Sequence, residues 1–235
     1  MNPKKEVIEK IRRIRFGIGL EIENLSEDQK MVLEDKKKIL SGISKIANEI
    51  NAKNHHFILE LIQNADDNEY GDDIDKPKIK FIIDLDSNLL IIQNNEKGFK
   101  EEDVRALCGI GQTTKEKKDE GYIGEKGIGF KSVFRVANRV QIFSNGFQFS
   151  FNYDKNDPST MIIPEWIDEV PNYIDPKQTN IVLHIKPELK DEVNRYINEI
   201  YPSLLLFLKK LRVIEIQKDN AVISIEKIEK NGIIE

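Results

Sequence analysis

Three polar residues share one face of a predicted helix. Glu60, Asn64 and Asp67 are spaced i, i+4 and i+7, which aligns side chains along an α-helix. A carboxylate there can orient and deprotonate a water molecule, and a carboxamide oxygen one turn away can ligate Mg²⁺. The row therefore suits work on a metal-bound nucleotide, although an ordinary amphipathic helix with a polar flank has the same pattern. Its buried stripe would be Phe57, Ile58, Leu61, Ile62 and Ala65.

A second stretch could hold phosphate groups. Residues 121–129 read Gly-Tyr-Ile-Gly-Glu-Lys-Gly-Ile-Gly, and backbone without Cβ atoms can approach an anion closely. Apolar residues between Val133 and Val140 predict a short helix and the start of a strand. The N-terminus of such a helix adds free N–H groups and partial positive charge. The loop therefore predicts a phosphate cradle, with a tight structural turn as the alternative.

The elements that must position these residues alternate between helices and hairpins. Ser26 and Gln29 have the spacing of a capping box. Predicted helices cover 4–15, 26 to about 50, 54–69, 101–108 and 188–211, the last broken near Pro202. Predicted strands cover 78–83, 89–93, 140–143, 147–151, 181–185, 213–216 and 222–225, and residues 154–180 are predicted to be irregular. Hairpins interleaved with helices favour α+β layers over a regular βαβ series.

Bulk composition excludes several classes of protein. With 39% hydrophobic and 33% charged residues, the chain of 235 residues can build one sizeable core. No apolar run of about 18 residues and no N-terminal apolar signal is present, so neither a membrane span nor export is expected. The single Cys108 excludes an internal disulfide and is compatible with the cytoplasm, which is the expected location. A net charge of −5 gives no direct signal for nucleic-acid binding.

Together the two stretches resemble the GHKL ATPase superfamily, and the resemblance covers about residues 30–215. Residues 56–68, His-Phe-Ile-Leu-Glu-Leu-Ile-Gln-Asn-Ala-Asp-Asp-Asn, and residues 121–134 look like the sacsin and No Vein branch. The resemblance implies an α+β fold, a two-layer α/β sandwich of the Bergerat type. Its mixed, mostly antiparallel sheet is covered by helices on one face. We expect an N-terminal helical extension at 1–29 and the ATP-binding domain at 30–235, as the N-terminal module of a longer protein.

The resemblance also implies roles for residues of the first two motifs. Glu60 matches the family's general base, Asn64 its Mg²⁺ ligand, and Asp67 an acidic position that lines the pocket. The second family motif usually reads Asp-x-Gly-x-Gly, and residues 94–98 here read Asn-Asn-Glu-Lys-Gly. Asn94 stands where an Asp accepts a hydrogen bond from the adenine amino group, and Glu96 replaces the first glycine. Asn can still accept through its side-chain oxygen, but as a neutral group.

The glycine-rich stretch and two further segments complete the implied site. Residues 124–129 match the Gly-x-x-Gly-x-Gly phosphate loop. Residues 109–121 occupy the position of the family's lid, and Thr179 resembles the strand residue that reaches the adenine-side hydrogen bonds. The residues implied to bind the nucleotide here are Thr113, Thr114, Gly124, Lys126, Gly127, Ile128, Gly129, Phe130 and Thr179.

The function implied by the resemblance is slow hydrolysis of Mg-ATP, with the nucleotide state switching lid, partner or homodimer contacts. No evident Lys or Arg arm reaches the γ-phosphate, so a non-hydrolysing nucleotide-binding module for regulated assembly remains the alternative. A P-loop NTPase is disfavoured because residues 124–132 are one residue off its pattern and polar residues 117–120 precede them. A histidine kinase is disfavoured because none of His55, His56 and His184 lies in a separate dimerisation helix.

Overall fold

The computed structural model describes residues 2–21, 23, 25–41, 56–109, 128–230 and 233–234. Its helices confirm most of the predicted ones, because the periodic apolar stripes mark them in the sequence. They are α1 (Pro3–Phe16), α2 (Glu27–Ser41), α3 (His56–Asp67), α4 (Glu101–Leu107), α5 (Ile128–Lys131) and α6 (Lys190–Asn198). Short 3₁₀ turns cover Ser132–Arg135, Pro158–Ile162, Pro187–Leu189 and Pro202–Phe207.

The strands form one large mixed sheet. They are β1 (Lys78–Asp84), β2 (Leu89–Asn94), β3 (Ala137–Ser144), β4 (Phe147–Asn152), β5 (Glu165–Trp166), β6 (Thr179–Ile185), β7 (Val213–Lys218) and β8 (Ala221–Glu226). A separate two-stranded ribbon joins β9 (Glu229–Lys230) to β10 (Ile233–Ile234). The order in the large sheet is β5-β4-β3-β6-β2-β1-β7-β8, and only the β1–β7 pair is parallel. The α+β sandwich with a mostly antiparallel sheet is confirmed.

Local chemistry fixes the ends of several elements. The Ser26 hydroxyl accepts from the Gln29 N–H at 3.3 Å while Gln29 Oε1 accepts from the Ser26 N–H at 3.0 Å, which confirms the capping box. Asn145 and Gly146 both have positive φ, 47° and 78°, at the tight turn between β3 and β4. These residue types tolerate the left-handed conformation that a two-residue hairpin requires.

The alternation of side chains along the strands separates two hydrophobic clusters. On β2, Leu90 and Ile92 belong to the main core, whereas Ile91 faces the opposite side of the sheet. The main core also contains Ile8 and Ile11 of α1, which are 0% and 1% exposed. The first helix is therefore packed into the same core as the sheet. A smaller cluster on the other face consists of Ile91, Phe143, Ile167, Ile174 and Val182.

Two departures from the predicted elements concern residues 154–180 and 188–211. The helix predicted for 188–211 ends at Asn198, and residues 202–207 form a 3₁₀ turn instead of continuing it. Pro202 lacks a backbone N–H and begins that turn, which is where the break was predicted. Residues 154–180, predicted to be irregular, contain the two-residue strand β5 and the Pro158–Ile162 turn.

Candidate functional site

The two motifs meet where Glu60 faces Gly129. A Cβ atom placed on Gly129 would overlap the carboxylate oxygen Oε2 of Glu60 and lie 2.9 Å from its Cδ. Gly129 therefore leaves the space that the Glu60 side chain fills. Helix α5 carries Gly129 and packs against α3, which carries Glu60. The fold thus brings the predicted catalytic carboxylate to the end of the glycine-rich stretch.

The polar row on α3 lies at the edge of the buried stripe, as its spacing predicts. Glu60 and Asn64 are half-buried, and the neighbouring positions Phe57, Leu61 and Ile62 are buried. Asp67, on the same predicted face, is exposed at the last position of the helix. The helix therefore presents a carboxylate and a carboxamide one turn apart, partly screened from water.

The preceding residue, Asp66, has a structural role that the sequence pattern did not indicate. Its carboxylate is 7% exposed and accepts the backbone N–H groups of Lys209, Lys210 and Leu211 at 2.7–2.8 Å. The carboxylate thereby holds the end of α3 against the segment that leads into β7. Charge-assisted bonds of this kind are stronger than neutral ones.

Asn94, at the end of β2, is buried in a hydrogen-bonded network. Its Nδ2 donates to the Tyr70 hydroxyl and to the Lys78 carbonyl, both at 2.8 Å, and its Oδ1 accepts from Asn68 Nδ2 at 3.1 Å. The Tyr70 hydroxyl in turn donates to the Ala65 carbonyl on α3 at 2.7 Å. Both amide hydrogens of Asn94 are therefore used inside the protein. A carboxamide oxygen has two acceptor sites, so Oδ1 keeps capacity for one more donor.

A chain of hydroxyl groups links Thr179 to a neighbouring carboxylate. Thr179 is 3% exposed, and its hydroxyl donates to Glu96 Oε1 at 2.5 Å. The Ser144 hydroxyl lies 2.6 Å from Thr179 Oγ1 and accepts the Phe99 N–H at 2.8 Å. Burial raises the pKa of Glu96, against the opposing effect of the Thr179 hydrogen bond. Glu96 was not among the predicted site residues, because its partner Thr179 is distant in sequence.

Gly98 lies beside these hydroxyl groups, and two observations explain why this position is a glycine. Its φ is 86°, a left-handed value that side chains rarely adopt. A Cβ atom there would also lie 2.7 Å from the Cβ of Asn145 in the β3–β4 turn. Gly98 therefore allows the loop after β2 to pack against that turn.

The remaining predicted site residues divide into two groups. Phe130, on α5, is 5% exposed and belongs to the main core. Ile128 begins α5, and only its backbone is described. Five predicted residues lie outside the part of the chain that the structure describes: Thr113, Thr114, Gly124, Lys126 and Gly127.

Among the described residues, no group of three or more His, Cys, Asp or Glu side chains converges as a metal site. A Mg²⁺ ion at Asn64 would thus take one amide oxygen from that residue, and phosphate oxygens and water would supply the rest, as Mg²⁺ commonly requires. No helix within the described ranges is long and apolar enough to cross a membrane.

The chain is similar in sequence to several known proteins. The Sacsin domain family matches residues 36–198. The chain is 35% identical to Protein NO VEIN of Arabidopsis thaliana over 238 residues, which cover 90% of this chain and 8% of that protein. It is 29% identical to the chaperone protein HtpG of Mycolicibacterium vanbaalenii over 171 residues, which cover 61% of this chain and 26% of HtpG. HtpG of Treponema pallidum is 25% identical over 221 residues, 73% of this chain and 32% of HtpG.

The chain therefore spans 8% of the length of Protein NO VEIN and 26% of the length of the M. vanbaalenii HtpG. The matched region contains α3, the end of β2, the glycine-rich stretch and Thr179, which are the elements that build the site. The chain belongs to the Sacsin domain family, in the sacsin and No Vein branch of the GHKL ATPases.

Proposed function

We propose that this domain binds Mg-ATP between α3 and the sheet and hydrolyses it slowly. The observation that carries the proposal is the meeting of Glu60 with Gly129, at the end of the glycine-rich stretch. A carboxylate held beside a phosphate-binding backbone is placed to act on the terminal phosphate. The similarity to HtpG chaperones supports nucleotide binding, whereas hydrolysis by this chain is the proposal made here.

The proposed reaction is an attack by water on the γ-phosphorus of ATP. The water oxygen forms a bond to the γ-phosphorus while Glu60 takes one of the water protons. The bond between the γ-phosphorus and the bridging β–γ oxygen breaks. ADP and inorganic phosphate are the products. Glu60 is half-buried, which limits its contact with bulk water while leaving it reachable from the site. A positioned general base contributes roughly 10²–10⁴-fold to such a rate.

Mg²⁺, when bound, offsets the negative charge of the phosphates, and Asn64 is the residue proposed to hold it. Asn64 supplies a neutral oxygen one turn from Glu60. The amide oxygen fits a hard cation that keeps most of its water ligands. Asp67 is proposed to add negative charge at the same helix face from its exposed position.

The adenine base is proposed to lie against the ends of β2 and β6. The oxygen of Asn94 keeps acceptor capacity for the adenine amino group, and Thr179 lies on the paired strand, directly opposite Asn94 in the register. Glu96 borders the same region through its hydrogen bond to Thr179, and Gly98 lies beside the Ser144 hydroxyl. The carboxylate of Glu96 supplies negative charge where the usual family Asp is replaced by Asn.

The nucleotide state is proposed to switch the contacts of residues 109–121 and of a second copy or another domain. The expected place of action is the cytoplasm. The alternative remains a module that binds nucleotide for regulated assembly without turnover, because no cation from this chain is assigned to the γ-phosphate. Size-exclusion chromatography with light scattering, with and without a non-hydrolysable ATP analogue, tests dimerisation.

Binding itself is tested by thermal unfolding of the domain with Mg-ATP. A ligand that binds the folded state stabilises it by RT ln(1 + [L]/Kd), roughly 2.7 kcal/mol at a hundredfold excess over Kd. We expect a rise in Tm with Mg-ATP, a smaller rise with ATP in EDTA, and loss of the magnesium-dependent part in Asn64→Ala. An unchanged Tm at millimolar Mg-ATP would indicate a purely structural scaffold.

A further inference from the structure

One lysine is buried in the core beside the proposed site. Lys131, the last residue of α5, is 2% exposed. Its Nζ donates to the carbonyl of Leu107 and to the carbonyl of Met161, the latter at 3.1 Å. The same ammonium group lies 4.4 Å from the ring centroid of Phe151 and 5.5 Å from that of Phe130.

Burying this ammonium group costs free energy, so its presence indicates a role that an apolar side chain could not fill. Removing an ammonium group from water is strongly unfavourable, and a methionine would fill a similar volume without that cost. The ammonium group is partly compensated, since two carbonyls accept two of its three hydrogens and two aromatic rings lie near it. Lys131 therefore connects neighbouring elements and does not merely fill space in the core. We call its two hydrogen bonds, to the carbonyls of Leu107 and Met161, the tie.

The tie connects three elements near Gly129. Leu107 ends α4, Met161 lies in the Pro158–Ile162 turn beside β4, and Lys131 itself ends the helix that carries Gly129. The Gly129 carbonyl is also held, because it accepts the Ser132 hydroxyl at 2.6 Å. The position of Gly129 against Glu60 therefore depends on where Lys131 fixes the short helix.

We infer that Lys131 is a positioning residue for nucleotide binding: its ammonium group ties the helix bearing Gly129 to the end of α4 and to the Met161 turn. This inference rests on the proposed function. Lys131 itself does not touch the nucleotide in this account. It acts through the backbone of α5, which borders Glu60.

The charge state of Lys131 sets the strength of the tie. Burial lowers the pKa of Lys131 to about 7, and the positive charge of Arg15 on α1 adds to this lowering. Arg15 also donates to the Arg105 carbonyl of α4 at 3.2 Å. Cys108 stays a thiol across neutral pH, because burial raises its pKa to about 12. Charged donors make stronger hydrogen bonds than neutral ones, so the tie weakens as Lys131 loses its proton.

The first experiment measures affinity for a non-hydrolysable Mg-ATP analogue by calorimetry, together with the Tm of the nucleotide-free protein. Lys131→Met should lose roughly tenfold or more in affinity. Ile214→Ala is the matched control, because it removes buried atoms from β7, away from α5. Its Tm should fall, whereas its affinity should change by less than about twofold. An affinity loss in Lys131→Met no larger than that of the control would overturn the inference. Wild type that binds no analogue would instead overturn the proposed function.

The second experiment follows affinity from about pH 6 to about pH 9. Wild type should bind more weakly above its Lys131 transition near pH 7, and Lys131→Met should show no such step. A thioether analogue of lysine can be placed at this position by alkylating K131C with bromoethylamine, in a Cys108→Ala background, before refolding. The analogue keeps an ammonium group but has a lower pKa than lysine. It should restore affinity at low pH and move the step to lower pH relative to Cys108→Ala alone. An unmoved step would overturn the inference even if Lys131→Met failed to fold.

Discussion

The carboxylate of Glu60 occupies the space that a Cβ atom on Gly129 would need. The two residues come from motifs far apart in the sequence, and the packing of α5 on α3 brings them together. Gly129 is not among the glycines with positive φ, so the space taken by the Glu60 carboxylate, and not the backbone conformation, explains why this position of the glycine-rich stretch is a glycine.

Gly129→Ala should displace Glu60 without unfolding the domain. The added methyl group meets the far end of a flexible side chain, which can move aside, and the backbone conformation suits alanine. Turnover should fall, by up to about 10²-fold for a displacement of about 1 Å, whereas Tm changes little. Single-turnover hydrolysis and thermal unfolding measure the two effects.

Gly71→Ala is the matched control for that variant. A Cβ atom there would likewise overlap a flexible carboxylate, that of Asp73, but in the loop between α3 and β1. It should leave turnover unchanged. Equal losses of turnover in both variants would show that the contact between Gly129 and Glu60 has no special role in catalysis.

Glu96→Gln should change how stability depends on pH. Burial raises the folded-state pKa of Glu96 above the ordinary 4.5, so the folded protein binds this proton more tightly than the unfolded chain. The resulting stability is fully present below the unfolded pKa and is lost as pH rises through the folded pKa. Relative to Glu96→Gln, wild type should therefore lose stability as pH rises from 4.5 towards neutrality. Urea unfolding at several pH values measures this.

Glu23→Gln, at an exposed position, controls for the loss of one carboxylate. It should leave the pH dependence of wild type in place. A constant difference in stability between wild type and Glu96→Gln across that range would contradict the burial of a titrating carboxylate next to Thr179.

Asp66→Asn and Asp67→Asn should separate a structural carboxylate from a surface one. Asp66 accepts three backbone N–H groups, and hydrogen bonds to charged groups contribute about 1.5–3 kcal/mol each. Asp66→Asn should therefore lower the free energy of unfolding by about 2–4 kcal/mol, since an amide can replace only part of this acceptance. Asp67→Asn, at the exposed neighbour, should change it by less than about 0.5 kcal/mol. Similar losses in the two variants would argue against the role assigned to Asp66.

Local signals made much of the fold predictable. The capping box of Ser26 and Gln29 and the Asn145-Gly146 turn depend on neighbouring residues, so the sequence alone contains them. The parallel pairing of β1 with β7 is different, because it joins strands separated by most of the domain and leaves no local pattern. The helix after Glu188 is shorter than predicted, because the apolar run beyond Pro202 forms a 3₁₀ turn that buries Leu205 and leaves Phe207 exposed.

The sequence indicates the proposed site only where its residues form a local pattern. Glu60 and Asn64 follow from helical spacing, and Gly129 from the glycine-rich pattern. The partners of Glu96 and Asp66 are brought in by tertiary structure, so neither role could be read from spacing. No local pattern indicates the role of Lys131, because its burial and its hydrogen bonds depend on carbonyls from two other elements.

The central claim is that Glu60 activates water and is not needed to hold the nucleotide. Single-turnover hydrolysis and equilibrium binding of Mg-ATP by Glu60→Gln, on the longest available chain, test it most directly. Glutamine keeps the size of the side chain but cannot take a proton, and it removes a negative charge near the phosphates. We predict binding equal to or tighter than wild type, with hydrolysis slower by roughly 10²–10⁴-fold. Hydrolysis at the wild-type rate, or a loss of affinity like that of Asn64→Ala, would contradict the account.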